Sequence, residues 1–176
     1  YICAEWEFGG LPAWLLAEDG MRLRSCPPSF IRHVSDYFKA LLPRLVPLQI
    51  DRGGPVILFQ VENEYGYYGD DTGYMATLRD MLRDCGVTVP LITSDGAYPY
   101  SLANGVVADT LPTANFGSAA SERLVLLEKA MPPDRKGPLM VTEFGVGWVD
   151  AWGRDRHATT DADERAGALD ESLAHG

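Results

Sequence analysis

Short apolar runs that finish in carboxylates or amides, separated by longer stretches of helical periodicity, recur along this chain and restrict its fold more than any other feature. The most explicit is Val56-Ile57-Leu58-Phe59, inside a strand predicted over 55–61, which leads straight into Gln60, Glu62, Asn63 and Glu64. A buried carboxylate is costly unless paired or hydrogen-bonded. Either the strand is over by Gln60 and the glutamates are solvated, or they line a pocket. Strands are also predicted at 1–6, 89–94, 110–116 and 138–144. Between them, 29–46 sets Phe30, Ile31, Val34, Phe38, Leu41, Leu42 and Leu45 at helical spacing, with Pro28 suited to the first helical position. Pro43 is expected to kink or end that helix early. Further helices are predicted over 72–84, 121–131 and 162–174, the last with Ala162, Ala166, Leu169 and Leu173 on one face. This alternation points to βαβ units and a parallel sheet.

Polar residues then fall in one kind of place. Glu5, Glu62, Asn63, Glu64, Asp95, Asn115 and Glu143 all sit at the C-terminal ends of predicted strands. A (β/α)8 barrel collects its reactive groups there, and a doubly wound sheet also uses its carboxyl edge. The latter usually carries a phosphate loop, and Gly145-Val146-Gly147 lacks the third glycine of one. The expected fold is therefore an α/β (β/α)8 (TIM) barrel. A complete barrel needs roughly 250 residues, so five strands in 176 residues suggest a central piece of one. The first residue is Tyr1 rather than Met, which fits a chain cut from something longer and leaves compartment and oligomeric state open.

The formal net charge of −10 argues against nucleic acid or an anionic membrane as partner. No run approaches the ~18 apolar residues of a membrane helix. Cys3, Cys26 and Cys85 match no zinc or disulfide spacing, and Cys26 and Cys85 are expected to be small buried hydrophobes. His33, His157 and His175 lie apart, so the sequence supports neither a histidine-based metal site nor a Ser/His/Asp triad. Asp95, in the turn Ser94-Asp95-Gly96, reads as structural, and Asp161, Asp163 and Glu164 suit the start of the last helix.

Carboxylates in this arrangement suit glycoside hydrolysis, which needs one carboxylic acid for the leaving oxygen and one carboxylate to attack or to activate water. Two pairings are open. Glu62 and Glu64, two apart on an extended chain, would be roughly 6.5–7 Å apart at Cα, nearer the wide separation of an inverting pair. Glu64 and Glu143 come from different strands and suit the ~5–5.5 Å of a retaining pair. Trp6, Trp14, Tyr65, Tyr67, Tyr68, Trp148 and Trp152 crowd the same segments, and Trp148 is the one favoured for a sugar face.

YICAEWEFGGLPAWLL at 1–16, GGPVILFQVENEYGYYG at 53–69 and GPLMVTEFGVGWVDAWG at 137–153 resemble the signature regions of glycoside hydrolase family 35, the retaining β-galactosidases; LITSDGAY at 91–98 and ANFG at 114–117 fit between them. The resemblance implies that residues 1–176 are one partial catalytic domain, from about the third barrel strand to the helix after the seventh. It implies Glu64 as general acid/base and Glu143 as nucleophile, with Asn63 bonding the sugar 2-hydroxyl and Glu62 a framework residue. Cys3, Ala4 and Glu5 carry over as contacts to galactose hydroxyls. The implied substrate is a β-galactoside oligosaccharide or glycoconjugate, with no metal or cofactor. One departure stands out: the family usually places an aromatic residue where this chain has Gly145, and Val149 also stands where an aromatic is common. Related glycosidases acting on β-glucosaminides or β-mannosides, or a galactoside-binding homologue that has lost catalysis, are the alternatives.

Overall fold

The computed structural model describes residues 2, 10–133, 137–147, 149–150 and 152–175. Four parallel strands form one sheet in sequence order: β1 (Phe59–Asn63), β2 (Leu91–Gly96), β3 (Leu111–Phe116) and β4 (Val141–Phe144). Helices α1 (Pro28–Leu45), α2 (Tyr65–Tyr68), α3 (Thr72–Asp84), α4 (Pro99–Gly105), α5 (Ala120–Ala130) and α6 (Ala162–Ala174) supply the connections. The predicted βαβ alternation is present. The strand predicted at 1–6 lies outside the described residues except for Ile2, which packs against the core.

Helix α1 starts as its proline predicts and buries Phe30, Val34, Phe38 and Leu42, one per turn. It does not end early: the helix continues through Pro43 to Leu45. Asp71 opens α3 by accepting the Tyr74 N–H at 2.9 Å, and Tyr74, Met75, Leu78 and Leu82 face inward. These helices, β1 and Leu91 enclose one apolar core; a smaller one gathers Ala97, Leu102, Ala114 and Leu127 between sheet, α4 and α5. Burial on this scale supplies most of the folding free energy at about 25 cal/mol per Å².

Strand β1 begins at Phe59, four residues later than predicted. Gln49 is the cause. Its segment pairs with Val56 in an isolated bridge, and its fully buried amide donates to Val46 and Gly86 carbonyls while accepting from the Thr88 and Val89 N–H groups. The run 55–58 is thus held to the loop before it rather than to β2. Two expectations about exposure also fail. Cys26 is exposed, its N–H donating to Asp71 at 3.1 Å, because it lies just before α1 rather than inside it. Helix α6 buries no residue: Asp161 caps it as expected, yet Leu169 and Leu173 are exposed.

Candidate active site

All four strands point their C-terminal ends to one edge, so Glu62, Asn63, Asp95, Asn115 and Glu143 share it. Glu62 and Glu64 take opposite roles there. Glu62 is buried, and both its oxygens are fully engaged. Arg24 Nε donates to one oxygen at 3.0 Å and Nη2 to the other at 3.3 Å, Tyr74 adds its hydroxyl at 2.9 Å and the Asn63 N–H closes the set at 2.7 Å. Arg24 also donates to the Asn63 carbonyl at 2.7 Å, and its guanidinium lies 4.4 Å from the Tyr68 ring centroid. A carboxylate with four donors has nothing left for substrate. The inverting pair of Glu62 with Glu64 is thereby excluded.

Glu64 leaves the extended path. Its φ of 48° and ψ of 35° put it in the left-handed region, at the head of the short helix α2. Such a conformation in a residue with a side chain costs on the order of 1 kcal/mol or more and marks sites where the surroundings dictate it. Three bonds dictate it here: Glu64 N–H to the Ser94 carbonyl at 2.8 Å, Tyr67 N–H to the Glu64 carbonyl at 3.1 Å, and Gly66 N–H to the Asp95 carboxylate at 2.8 Å. The turn breaks the strand alternation, so Glu64 is half-buried and faces Asn115, whose Nδ2 donates to its carboxylate at 3.2 Å.

Asn115 ties the edge together. Its Oδ1 accepts from Ser94 on β2 at 2.8 Å and from Thr142 on β4 at 3.0 Å. In the β3–β4 register Asn115 is the partner of Glu143, which is exposed at the edge. The residue that bonds Glu64 is thus the one that stands beside Glu143 in the sheet. Beyond them the chain is open: a Cβ added to Gly145 would meet nothing within 4 Å, whereas Gly117 must be glycine because a Cβ there would fall 1.8 Å from the Gly145 carbonyl. A cleft of about 270 Å³ lined by Phe144, Gly145, Val146 and Arg165 opens next to β4. A wider one of about 400 Å³, between Arg22–Ser25 and the tyrosines Tyr65 and Tyr68, includes neither Glu64 nor Glu143 in its lining.

A model of glycosyl hydrolases family 35 matches residues 1–176. The chain belongs to that family. Along its full length it is 41% identical to the beta-galactosidase of Homo sapiens and 44% identical to that of Xanthomonas manihotis, of which it covers 26% and 29%. Over 93% of its length it is 42% identical to beta-galactosidase-1-like protein 3 of Rattus norvegicus, covering 25% of that protein. The chain thus spans about a quarter of the length of these relatives.

Of the residues singled out in the sequence, the structure brings Asn63, Glu64 and Glu143 to the same edge. Cys3, Ala4, Glu5 and Trp148 lie outside the described residues. Trp14 packs edge-on against His33, with ring centroids 5.1 Å apart, and Trp152 is fully exposed. Among the described residues no group of histidines, cysteines and acids has the arrangement of a metal site. Arg24 was missed, since nothing in the sequence ties it to a glutamate so far away. Asn115 was visible as a strand-end amide, but its role as a bridge depends on strand order.

Asp95, read from the sequence as a turn residue, accepts the Gly66 N–H at 2.8 Å. Burial, with the charges of Glu64 and Glu62 nearby, pushes its carboxyl up to about 7, against the lowering effects of the Gly66 N–H and Arg24. Unfolded, the group titrates near 3.9. The folded state therefore holds the proton to higher pH, and this contribution to stability is complete below about pH 4 and lost as pH rises through about 7. Asp95→Asn keeps an acceptor for Gly66 and removes the titration. Between pH 4 and 8 the unfolding free energy of the wild type should fall relative to the variant by on the order of 4 kcal/mol. Parallel urea-unfolding curves across that range would refute this assignment.

Proposed function

We propose that this chain is the central part of the (β/α)8 barrel of a retaining β-galactosidase, with β1–β4 as the fourth to seventh barrel strands, and that it carries both reacting carboxyl groups. The substrate is a β-galactoside oligosaccharide or glycoconjugate, from which a terminal non-reducing β-D-galactose is released. The observation that carries this reading is the bond to Glu64 from Asn115, which is itself the register partner of Glu143. Family membership and the beta-galactosidase relatives support the substrate class.

Glu143 attacks the anomeric carbon, forming an ester as the glycosidic C–O bond breaks, and Glu64 gives its proton to the departing oxygen. Glu64 then takes a proton from water as the water oxygen displaces Glu143, and galactose leaves with its configuration retained. A neutral amide suits this cycle, because the Asn115 N–H bonds the carboxyl oxygen of Glu64 in both protonation states. Asn63 has its Oδ1 held by Gln60 at 2.8 Å, which leaves its NH2 for the sugar 2-hydroxyl. Cys3, Ala4 and Glu5 contact the galactose hydroxyls, and Trp148 stacks on the ring. Gly145 leaves the space beside Glu143 wider than an aromatic residue would.

The test is proton NMR of the first product formed from a β-galactoside by the intact protein. The β-anomer should appear first and mutarotate later. First appearance of the α-anomer would require inversion, and a panel of nitrophenyl glycosides separates galactose from glucosaminide and mannoside specificity.

A further inference from the structure

Glu64 heads a helix that its own side chain does not cap. The side chain at that position ordinarily accepts the backbone N–H two or three residues further on, and in α2 those are the N–H groups of Gly66 and Tyr67. Neither bonds the Glu64 side chain. The Tyr67 N–H closes on the Glu64 carbonyl at 3.1 Å, and the Gly66 N–H goes to Asp95 on β2 at 2.8 Å. A carboxyl from the neighbouring strand takes the donor that a capping side chain would take, and the Glu64 carboxyl turns to Asn115 instead.

Asp95 is held for this with little room to spare. It is 1% exposed, and its carboxyl meets both helices that follow β1 and β2. It bonds α2 through Gly66, and it lies against Gly105, the last residue of α4, where a Cβ would fall 2.0 Å from one carboxyl oxygen and 2.3 Å from the other. Gly66 is as tightly placed, since a Cβ there would fall 1.9 Å from the Ser101 carbonyl of α4. Only glycine fits at either position. The residue before Asp95 completes the hold, because the Ser94 carbonyl accepts the Glu64 N–H at 2.8 Å. Two consecutive residues at the end of β2 therefore fix the backbone on both sides of the Glu64 side chain.

We infer that Asp95 is a positioning residue for proton transfer: by capping α2 in place of Glu64, it keeps the Glu64 carboxyl turned to Asn115 and free to carry the proton. The inference rests on the galactosidase reading and adds to it a residue that touches no substrate. Without Asp95 the Gly66 N–H is a buried donor lacking an acceptor, which is costly, and Glu64 stands where a side chain caps that donor. Accepting a backbone N–H favours the ionised form of a carboxyl, and that form cannot protonate a leaving group. Asp95 serves in either protonation state, because the carbonyl oxygen of the neutral acid accepts an N–H as a carboxylate oxygen does. An amide does the same, and an alkyl side chain does not.

The experiment compares the intact protein with its Asp95→Ala and Asp95→Asn variants on lactose and on dinitrophenyl β-galactoside, whose leaving group departs without a proton. In Asp95→Ala the ratio of kcat/KM for lactose to that for the dinitrophenyl substrate should fall about tenfold or more, a part of the roughly 10²–10⁴-fold that a general acid contributes. Asp95→Asn, which keeps the acceptor, should recover most of that ratio. A merely structural role would lower both substrates together and leave the ratio where it was. The readout is a ratio, so it does not depend on how much of a variant folds. Gly105→Ala, whose methyl displaces the same carboxyl, should lower it by an independent route. With an active wild type, an unchanged ratio in Asp95→Ala or Gly105→Ala would overturn the role of Asp95 alone, as would an Asp95→Asn ratio as low as that of Asp95→Ala. A wild type inert toward the dinitrophenyl galactoside would overturn the galactosidase reading and this role with it.

Discussion

Glu143→Gln in the intact protein should lower kcat on β-galactosides by on the order of 10⁴-fold or more, the scale on which loss of an attacking group is felt, and should leave substrate binding in place. The amide keeps the size and much of the hydrogen bonding of the carboxylate but cannot form the ester. Glu64→Gln should behave differently. Proton donation contributes roughly 10²–10⁴-fold, and a leaving group that departs without a proton needs less of it. The defect should therefore be largest on alkyl and saccharide galactosides and smaller on a nitrophenyl galactoside. Azide, an anion that needs no base to attack, should restore turnover of the Glu64 variant and release a β-galactosyl azide. Stopped-flow and steady-state rates on both substrate types check this. Comparable losses for both variants on both substrates would dissolve the assignment of separate roles.

The second large effect is on stability. Arg24→Met leaves the Glu62 carboxylate buried with the Tyr74 hydroxyl and the Asn63 N–H as its remaining donors among the described residues. Removing one member of a buried ion pair costs about 3–5 kcal/mol, because the remaining charge is left uncompensated. Arg24 also donates to the Asn63 carbonyl and covers the Tyr68 ring, so the variant loses packing as well. Adding Glu62→Gln removes the stranded charge and should recover part of the loss, giving a coupling of roughly 0.5–3 kcal/mol in a double-mutant cycle. Urea unfolding of the four proteins measures it. A single-variant loss below about 1 kcal/mol would place the pair among solvent-screened surface contacts. The same variant should lower activity, since Glu62 and Asn63 immediately precede Glu64.

What could be read from the sequence was whatever local chemistry decides. Helix α3 matches its predicted span because Asp71 caps it and its apolar stripe runs unbroken, and α6 matches because Asp161 caps it. Helices α2 and α4 were not foreseen: with four and seven residues, neither is long enough to show a stripe. The start of β1 was misplaced because the buried amide of Gln49 competes for that segment, and no pattern within 55–61 reveals a competitor outside it. Pro43 was judged from its own chemistry, while the packing of Phe38 and Leu42 carries α1 past it. At the site, Glu64 and Glu143 stood out through their strand ends and through the family resemblance. The two-residue spacing of Glu62 and Glu64 suggested a pair that does not form, since the left-handed turn at Glu64 is set by contacts with β2 and Asp95. Asn115 reaches Glu64 only because of the strand order, and Arg24 reaches Glu62 from the loop before α1.

The Asn115 amide has a mechanical consequence. Glu64, Ser94, Asn115 and Thr142 sit on or just past four successive strands, and the Ser94 and Thr142 hydroxyls are themselves 2.8 Å apart. They act as a crossbar. Side-chain bonds, and not the backbone ladder alone, therefore set the gap between Glu64 and the strand that bears Glu143.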